Sequence, residues 1–300
     1  MLKSYERELI DRGIAAADST TYQQNKIWSR HTNEKADVAD SLSKVIRSIN
    51  KTVPLSLPLR ALALGCSDEP QFRILEAAFK GGLYLFDIDE TALAVVDRRI
   101  KRQLIEGVTT VVGDYATSFA TPRDAKRTLD KRLGGERFDL ITLHHSLYYS
   151  DKSTWAPLME NLYKGLLAPK GALHLALMSS TPRPGTTTWL YNHFADRFFG
   201  HRNDQDLLAF RDVLAESPAL SDAQLASRTS EVQFFVDDFE QYMAVVWMIM
   251  LYPHVHNYSL DQRREITTFV LENFWWSKRP LVQVQDYLAV YKDVRGGVLV

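Results

Sequence analysis

Apolar and polar positions alternate along this chain in two rhythms, and the middle of the chain switches regularly between them. Short apolar runs of strand character cover Arg60–Leu64, Leu83–Phe86, Val108–Val112, Phe138–Leu143 and Gly171–Met178. Between them, apolar residues recur at helical spacing over Gln71–Phe79, Thr91–Leu104 and Tyr149–Leu167. Strands alternating with helices predict an α/β fold with a parallel sheet covered on both faces. Right-handed crossovers make that sheet doubly wound and Rossmann-like. Ahead of it, Ser4–Ala17 and Val38–Ile49 have helical spacing, separated by the polar stretch TYQQNKIWSRHTNEKAD; Pro54 and Pro58 then mark a linker. After Ser180 the composition shifts, with an aromatic-rich segment over Thr186–Phe199, helical patterns over Gln205–Ala215 and Asp261–Phe274, and late strands over Glu231–Val236 and Val282–Val290. The expected organisation is an N-terminal helical cap over 1–53 that contributes to a substrate pocket, and a sheet domain over 54–300 with substrate-binding insertions after residue 180.

Charge and cysteine content narrow the partners. The formal net charge is −1, without the basic excess of a nucleic-acid binder. The short basic runs Arg98-Arg99 and Lys101-Arg102 fall in a helical pattern and read as a solvated face. Cys66 is the only cysteine, so no internal disulfide forms, as suits a reducing cytoplasm. The N-terminus MLKSYERELIDRG lacks the apolar core of a signal peptide, and the most apolar run, Met243–Tyr252, is too short to span a bilayer and reads as a buried helix. The expectation is a cytoplasmic protein that acts on a small molecule, binds neither nucleic acid nor membrane, and is a monomer or a homodimer.

In an open α/β sheet, ligands bind beyond the carboxyl ends of the strands. Four such ends carry suitable groups. The first is Gly65-Cys66-Ser67-Asp68-Glu69, where the glycine permits a tight turn. Its acids would repel a pyrophosphate but suit a cation such as the sulfonium and ammonium of S-adenosylmethionine. The second is Asp87, followed by Ile88, where a carboxylate can accept from both ribose hydroxyls. The third is Asp114, after Gly113, which together with its neighbouring amide could meet an adenine edge. The fourth is His144-His145-Ser146, followed by Leu147-Tyr148-Tyr149, placed to face a substrate. Singly, Asp87 and Asp114 read as helix caps and the histidines and tyrosines as packing. The order and spacing of all four favour a cofactor site.

The runs LRALALGCSDEP, LYLFDID, VVGDY and FDLITLHHSLYY resemble the motif series of class I S-adenosylmethionine-dependent methyltransferases. The stretches WSRHTNEKADVADSL, FDLITLHHSLYYSDKSTW and LALMSSTPRPGTTTWLYNHFADRF resemble histamine N-methyltransferase and related small-molecule enzymes, with a bacterial type of methionine S-methyltransferase as the specific candidate. The resemblance implies a seven-stranded sheet with its last hairpin reversed, S-adenosylmethionine as cofactor and S-adenosylhomocysteine as product. It places Gly65 and Ser67 beside the methionine part of the cofactor, Asp87 at the ribose, Asp114 and Tyr115 at the adenine, and His144 against the cofactor, with Cys66 and Ile88 also among the cofactor-binding residues. It makes Glu34 a substrate-binding carboxylate and puts His145, Tyr148, Tyr149, Tyr191 and Gln283 at substrate positions. The cofactor loop departs from the family in having one glycine where two or three are usual, and His145 stands where the histamine enzymes carry an amide.

Methyl transfer from a sulfonium is an in-line displacement, for which the protein supplies proximity and a dry site. An amine, imidazole or thioether attacks directly; a phenol or alcohol needs a base, for which His144 or His145 is the candidate. His144, His145, Tyr148 and Tyr149 are the residues expected at the reacting atoms. Glu34 suits a substrate ammonium, and Arg30 and His31 a carboxylate, a pairing that fits an amino acid. Tyr22, Trp28, Tyr148, Tyr149, Trp189 and Tyr191 could line a cationic product through their π faces. S-methylation of methionine is the leading expectation, N-methylation of a biogenic amine or imidazole the alternative, and a non-catalytic cofactor-binding or regulatory protein the reading from another class. No metal is expected: His144-His145 has no adjacent carboxylate pair, and Asp237-Asp238 reads as a helix cap.

Overall fold

The computed structural model describes residues 2–251 and 257–297, so Tyr252, the last residue of the apolar run, lies outside the described residues. Seven strands form one sheet: β1 Arg60–Leu64, β2 Gly82–Asp87, β3 Val108–Val112, β4 Phe138–His144, β5 Leu167–Met178, β6 Ala223–Phe234 and β7 Leu281–Lys292, in the order β3-β2-β1-β4-β5-β7-β6. The first five are parallel, with Ala61 opposite Leu83 on one side and Leu140 on the other, and His144 opposite Ala176. Thr229 meets Asp286 while Gln224 reaches the Gly297 carbonyl, so β6 runs antiparallel to β7. This is the doubly wound sheet that the alternation of elements predicts, with the reversed final hairpin that the resemblance implies. Its central strands are buried on both faces, which is why they read as unbroken apolar runs. The edge strand β6 is polar and half-exposed, and it begins at Ala223 rather than at Glu231 because only its last residues carry an apolar pattern.

The helices are α1 Leu2–Ala15, α2 Thr21–His31, α3 Glu34–Asn50, α4 Phe72–Ala78, α5 Glu90–Gln103, α6 Tyr115–Ser118, α7 Pro122–Arg132, α8 Trp155–Asn161, α9 Thr187–Phe199, α10 Leu207–Glu216, α11 Phe239–Met250 and α12 Leu260–Val270. α2 and α7 are among those that arise where apolar spacing gave no element. The polar stretch after Thr20 folds as α2 behind a capping box, with the Thr20 hydroxyl accepting from Gln23 N and the Gln23 carboxamide accepting from Thr20 N. α7 is capped by Thr121 and has Pro122 in its first turn. Among the described residues no helix is long and apolar enough to cross a membrane.

The chain divides into two compact units. One comprises Met1–Lys35, Met178–Asp204 and Ser230–Gln285; the other comprises Ala36–Leu177, Gln205–Thr229 and Asp286–Val300. The first has a core of Trp28, Leu190, Phe194, Phe234, Tyr242, Met243, Trp247 and Leu271. Within it, Trp247 donates its indole N–H to the Gly13 carbonyl at 2.7 Å. A Cβ on Gly13 would lie 2.6 Å from Thr267 Cγ2, so glycine is what lets α1 approach α12 this closely. The second unit holds β1–β4, most of β5, and a core of Leu42, Val45, Phe72, Leu75, Phe79, Leu83, Leu85, Leu140, Tyr287 and Tyr291.

Candidate functional site

The loop after β1 is set by its backbone. Gly65, Ser67 and Glu69 all lie in the left-handed region, with φ of 62°, 49° and 49°. They fall at alternate positions, so the loop takes at three positions a backbone conformation that favours glycine while carrying glycine at one. Each non-glycine residue there costs roughly 1–2 kcal/mol. The loop is tied back to β2 by two bonds: Gly65 N–H donates to Phe86 O at 2.8 Å, and Ser67 N–H donates to Asp87 Oδ2 at 2.7 Å. The other carboxylate oxygen of Asp87 accepts from Asp89 N at 2.8 Å. Asp87 therefore joins the β1 loop to the start of α5 while retaining lone pairs on both oxygens. Burial raises its carboxyl above the ordinary range, against the pull of the Asp89 and Ser67 amides.

The acids of this loop are not equivalent. Glu69 is buried, and its Oε1 accepts from Gln71 N at 2.9 Å. Burial, opposed by that amide, pushes its carboxyl up from an ordinary 4.5 to about 7. The folded state thus keeps a proton that an unfolded glutamate releases, so stability from this site is full below about 4.5 and is lost as pH rises through about 7. Glu69→Gln, which cannot ionise, should melt like the parent near pH 4.5 and be more stable above about pH 7.5 by roughly 3 kcal/mol, as read by urea unfolding across pH. Parallel curves for parent and variant would rule the buried acid out. Cys66 is buried, its thiol is pushed up by that burial, and its Sγ–H points to Ser67 O at 3.7 Å.

The remaining strand ends of this unit complete the site. Ile88 is 72% exposed and Val112 44% exposed, an apolar pair at the ends of β2 and β3 where Asp87 pairs with Val112. Asp114 caps α6, its Oδ1 accepting from Ala116 N at 2.9 Å. Tyr115 is buried and donates its hydroxyl to Ser146 O at 2.7 Å, so it offers a ring face rather than a hydroxyl. Past His144, the backbone of His145 turns left-handed at a φ of 52°. His145 stacks on Tyr148, with Nδ1 3.1 Å from the phenol oxygen. Tyr148 is buried and Tyr149 exposed. Burial, with His174 and His145 adding to it, holds the His144 imidazole well below its ordinary range.

Two features of this unit escape sequence reasoning. The Ser146 hydroxyl is buried without a hydrogen-bond partner among the described residues, and it lies 3.1 Å from where a Cβ on Gly65 would stand. His174, in the middle of β5, is fully buried and bonds His144. The available signal was a histidine inside a strand buried on both faces, where a polar ring needs a partner.

The other unit holds Tyr22, Trp28, Arg30, His31, Glu34, Trp189, Tyr191 and Gln283. Here Trp28 donates its indole N–H to Glu34 Oε2 at 2.6 Å and stacks on Phe234 at 5.7 Å. Glu34 is thereby oriented at the start of α3. His31 packs edge-on to Phe234, and Tyr22, Arg30 and His31 are exposed. Trp189 stacks on His193 within the aromatic packing of α9 against Phe269, while Tyr191 is buried, with its phenol pushed up to about 12. Gln283 is buried and donates to Gln285 Oε1 at 3.2 Å. Asp238 caps α11, as expected of that pair. Among the described residues no three His, Cys, Asp or Glu side chains gather as a metal site.

No family model and no curated protein matches the sequence. Solved structures do match the fold. A candidate methyltransferase of Bacillus halodurans superposes with a TM-score of 0.51 at 15% identity, over 82% of this chain and 98% of its own. The fold is that of the class I methyltransferases. The YcgJ protein of Bacillus subtilis superposes with a TM-score of 0.52 at 11% identity, over 83% of this chain and 98% of its own. The plantazolicin methyltransferase BamL, solved with S-adenosylhomocysteine, aligns over 98% of this chain and 100% of its own at 12% identity, with a TM-score of 0.48. In this methyltransferase fold, the β1 loop, Asp87, Asp114 and His144 all stand at carboxyl ends of strands.

Proposed function

We propose that the chain is an S-adenosylmethionine-dependent methyltransferase acting on a small amino-acid-like or amine substrate. One observation carries this: the loop with left-handed residues at 65, 67 and 69 is fastened to Asp87 at the ligand-binding end of a methyltransferase-type sheet. The residues present fit the cofactor. Asp87 has acceptor capacity left for ribose hydroxyls, Ile88 and Val112 offer apolar surface for a base, and the Ser146 hydroxyl is a buried polar group in need of a partner. When bound, S-adenosylmethionine supplies an electrophilic methyl and leaves as the neutral S-adenosylhomocysteine. The chain's residues then bind, align and exclude water.

For the acceptor, the support is Glu34, a half-buried carboxylate held by the Trp28 indole, which suits a substrate ammonium. With Arg30 and His31 available for a carboxylate, S-methylation of methionine is the leading reaction and N-methylation of an amine or imidazole the alternative. Calorimetry with S-adenosylmethionine, followed by labelled-methyl transfer to methionine and to a panel of amines, tests the proposal. Binding and a methylated product are expected, and absence of binding ends it. Glu34→Gln should raise KM tenfold or more with kcat little changed, since a hydrogen bond to a charged group contributes about 1.5–3 kcal/mol. An unchanged KM would remove the ammonium contact.

A further inference from the structure

Three side chains of one unit form a buried polar line: Ser41 on α3, His174 on β5 and His144 at the end of β4. Ser41 Oγ lies 2.9 Å from His174 Nε2, and His174 Nδ1 lies 2.7 Å from His144 Nε2, with the two imidazoles perpendicular. Ser41 and His174 are both fully buried. The surroundings keep the line neutral and still. Tyr287 stacks on His174, and the Arg228 guanidinium lies 5.1 Å from the Tyr287 ring while pairing with Asp37 and Asp40. Burial, with the Arg228 charge adding to it, pushes the His174 imidazole down to about 3.

A neutral line of this kind has two proton arrangements, and they are not equal. The bond to His174 is the one hydrogen bond of the Ser41 hydroxyl among the described residues. If His174 carried its proton on Nε2, it would donate to Ser41, and the serine hydrogen would be buried with no acceptor. A stranded buried donor disfavours that arrangement by roughly tenfold or more. In the other arrangement, Ser41 donates to His174 Nε2, His174 donates from Nδ1 to His144 Nε2, and every buried group is satisfied. We infer that Ser41 and His174 are positioning residues that fix His144 in the tautomer protonated at Nδ1, so that at the end of β4 it presents a hydrogen-bond donor and not a base. Within the methyl-transfer reading, on which this consequence rests, a hydroxyl acceptor obtains no base from His144. The site then suits acceptors that attack with a lone pair they already carry, such as a thioether, a neutral amine or an imidazole.

The test is spectroscopic and needs no cofactor. Long-range proton–nitrogen correlation spectra of protein labelled at histidine nitrogen should show His144 and His174 both protonated at Nδ1 and bare at Nε2, the His144 signals being identified by their loss in His144→Gln. Ser41→Thr, which keeps the hydroxyl, should leave the pattern unchanged. Ser41→Asp puts an acceptor in place of the donor and should reverse both rings to the Nε2-protonated form. A parent protein with His144 protonated at Nε2 overturns the inference, as does a folded Ser41→Asp protein with both rings unchanged; if that variant does not fold, the parent spectrum decides by itself. Failure to bind S-adenosylmethionine in calorimetry would overturn the methyl-transfer reading and leave the tautomer assignment standing.

Discussion

Gly65→Ala should destabilise the protein by about 2–5 kcal/mol and lower its melting temperature by on the order of 10 °C. Two effects add. The backbone at this position has a φ of 62°, where an L side chain costs roughly 1–2 kcal/mol. The new Cβ would stand 2.4 Å from Ser146 Cβ and 3.3 Å from a Tyr115 ring carbon. Neither neighbour yields easily, because Ser146 and Tyr115 are buried and Tyr115 is anchored through its hydroxyl to Ser146 O. Overpacking of this kind costs about 1–3 kcal/mol. The two parts can be separated by adding Ser146→Gly, which removes the nearest atom but not the dihedral. The double variant should recover the steric part and remain below the parent by roughly 1–2 kcal/mol. A Gly65→Ala protein that melts with the parent would mean that the loop does not take this course.

Asp87→Asn should separate binding from stability. The carboxylate accepts one amide on each oxygen, from Ser67 and from Asp89, and burial already makes its charge unfavourable. An asparagine keeps one acceptor and relieves the buried charge, so the two changes largely offset and the melting temperature should move little. Ligand affinity has no such compensation. If the remaining lone pairs accept from two ribose hydroxyls, losing the charge and one acceptor should weaken S-adenosylmethionine binding by about a hundredfold or more, each charged hydrogen bond contributing about 1.5–3 kcal/mol. Calorimetry beside thermal melting reads both quantities. Equal affinity in parent and variant would reduce Asp87 to a brace between the loop and α5.

How much of this was legible in the sequence depended on where the information lies. Strands β1, β2 and β4 were visible because burial on both faces leaves a mostly apolar run, as in Arg60–Leu64, while the half-exposed β3 was visible through its β-branched residues Val108, Thr109, Thr110, Val111 and Val112. α2 and α7 were not, because their residues are mostly polar; their signals were the caps at Thr20 and Thr121 rather than a periodicity. The strand-end positions of Asp87, Asp114 and His144 followed from the alternation of elements. What Asp114 does there, capping α6, is the plain alternative that any strand-end aspartate carries. Ser146 was visible as part of the fourth strand end, but the burial of its hydroxyl against Gly65 was not, since that depends on its place in the fold. The Ser41–His174 bond joins residues 133 positions apart, and nothing local in either segment announces it.

The left-handed residues at 67 and 69 have a consequence for the thermodynamics of binding. Glycine explores far more backbone conformations than serine or glutamate, so a loop with three glycines loses more freedom when a ligand fixes it. In this chain left-handed dihedrals at 67 and 69 are adopted by side-chain-bearing residues and are braced by Ser67 N–H to Asp87 and Glu69 N–H to Cys66 O. The strain is spent on folding, and the loop meets its ligand already narrowed to one shape. The entropic penalty of association should therefore be smaller than for a triple-glycine loop on the same sheet, with affinity limited by contacts rather than by ordering.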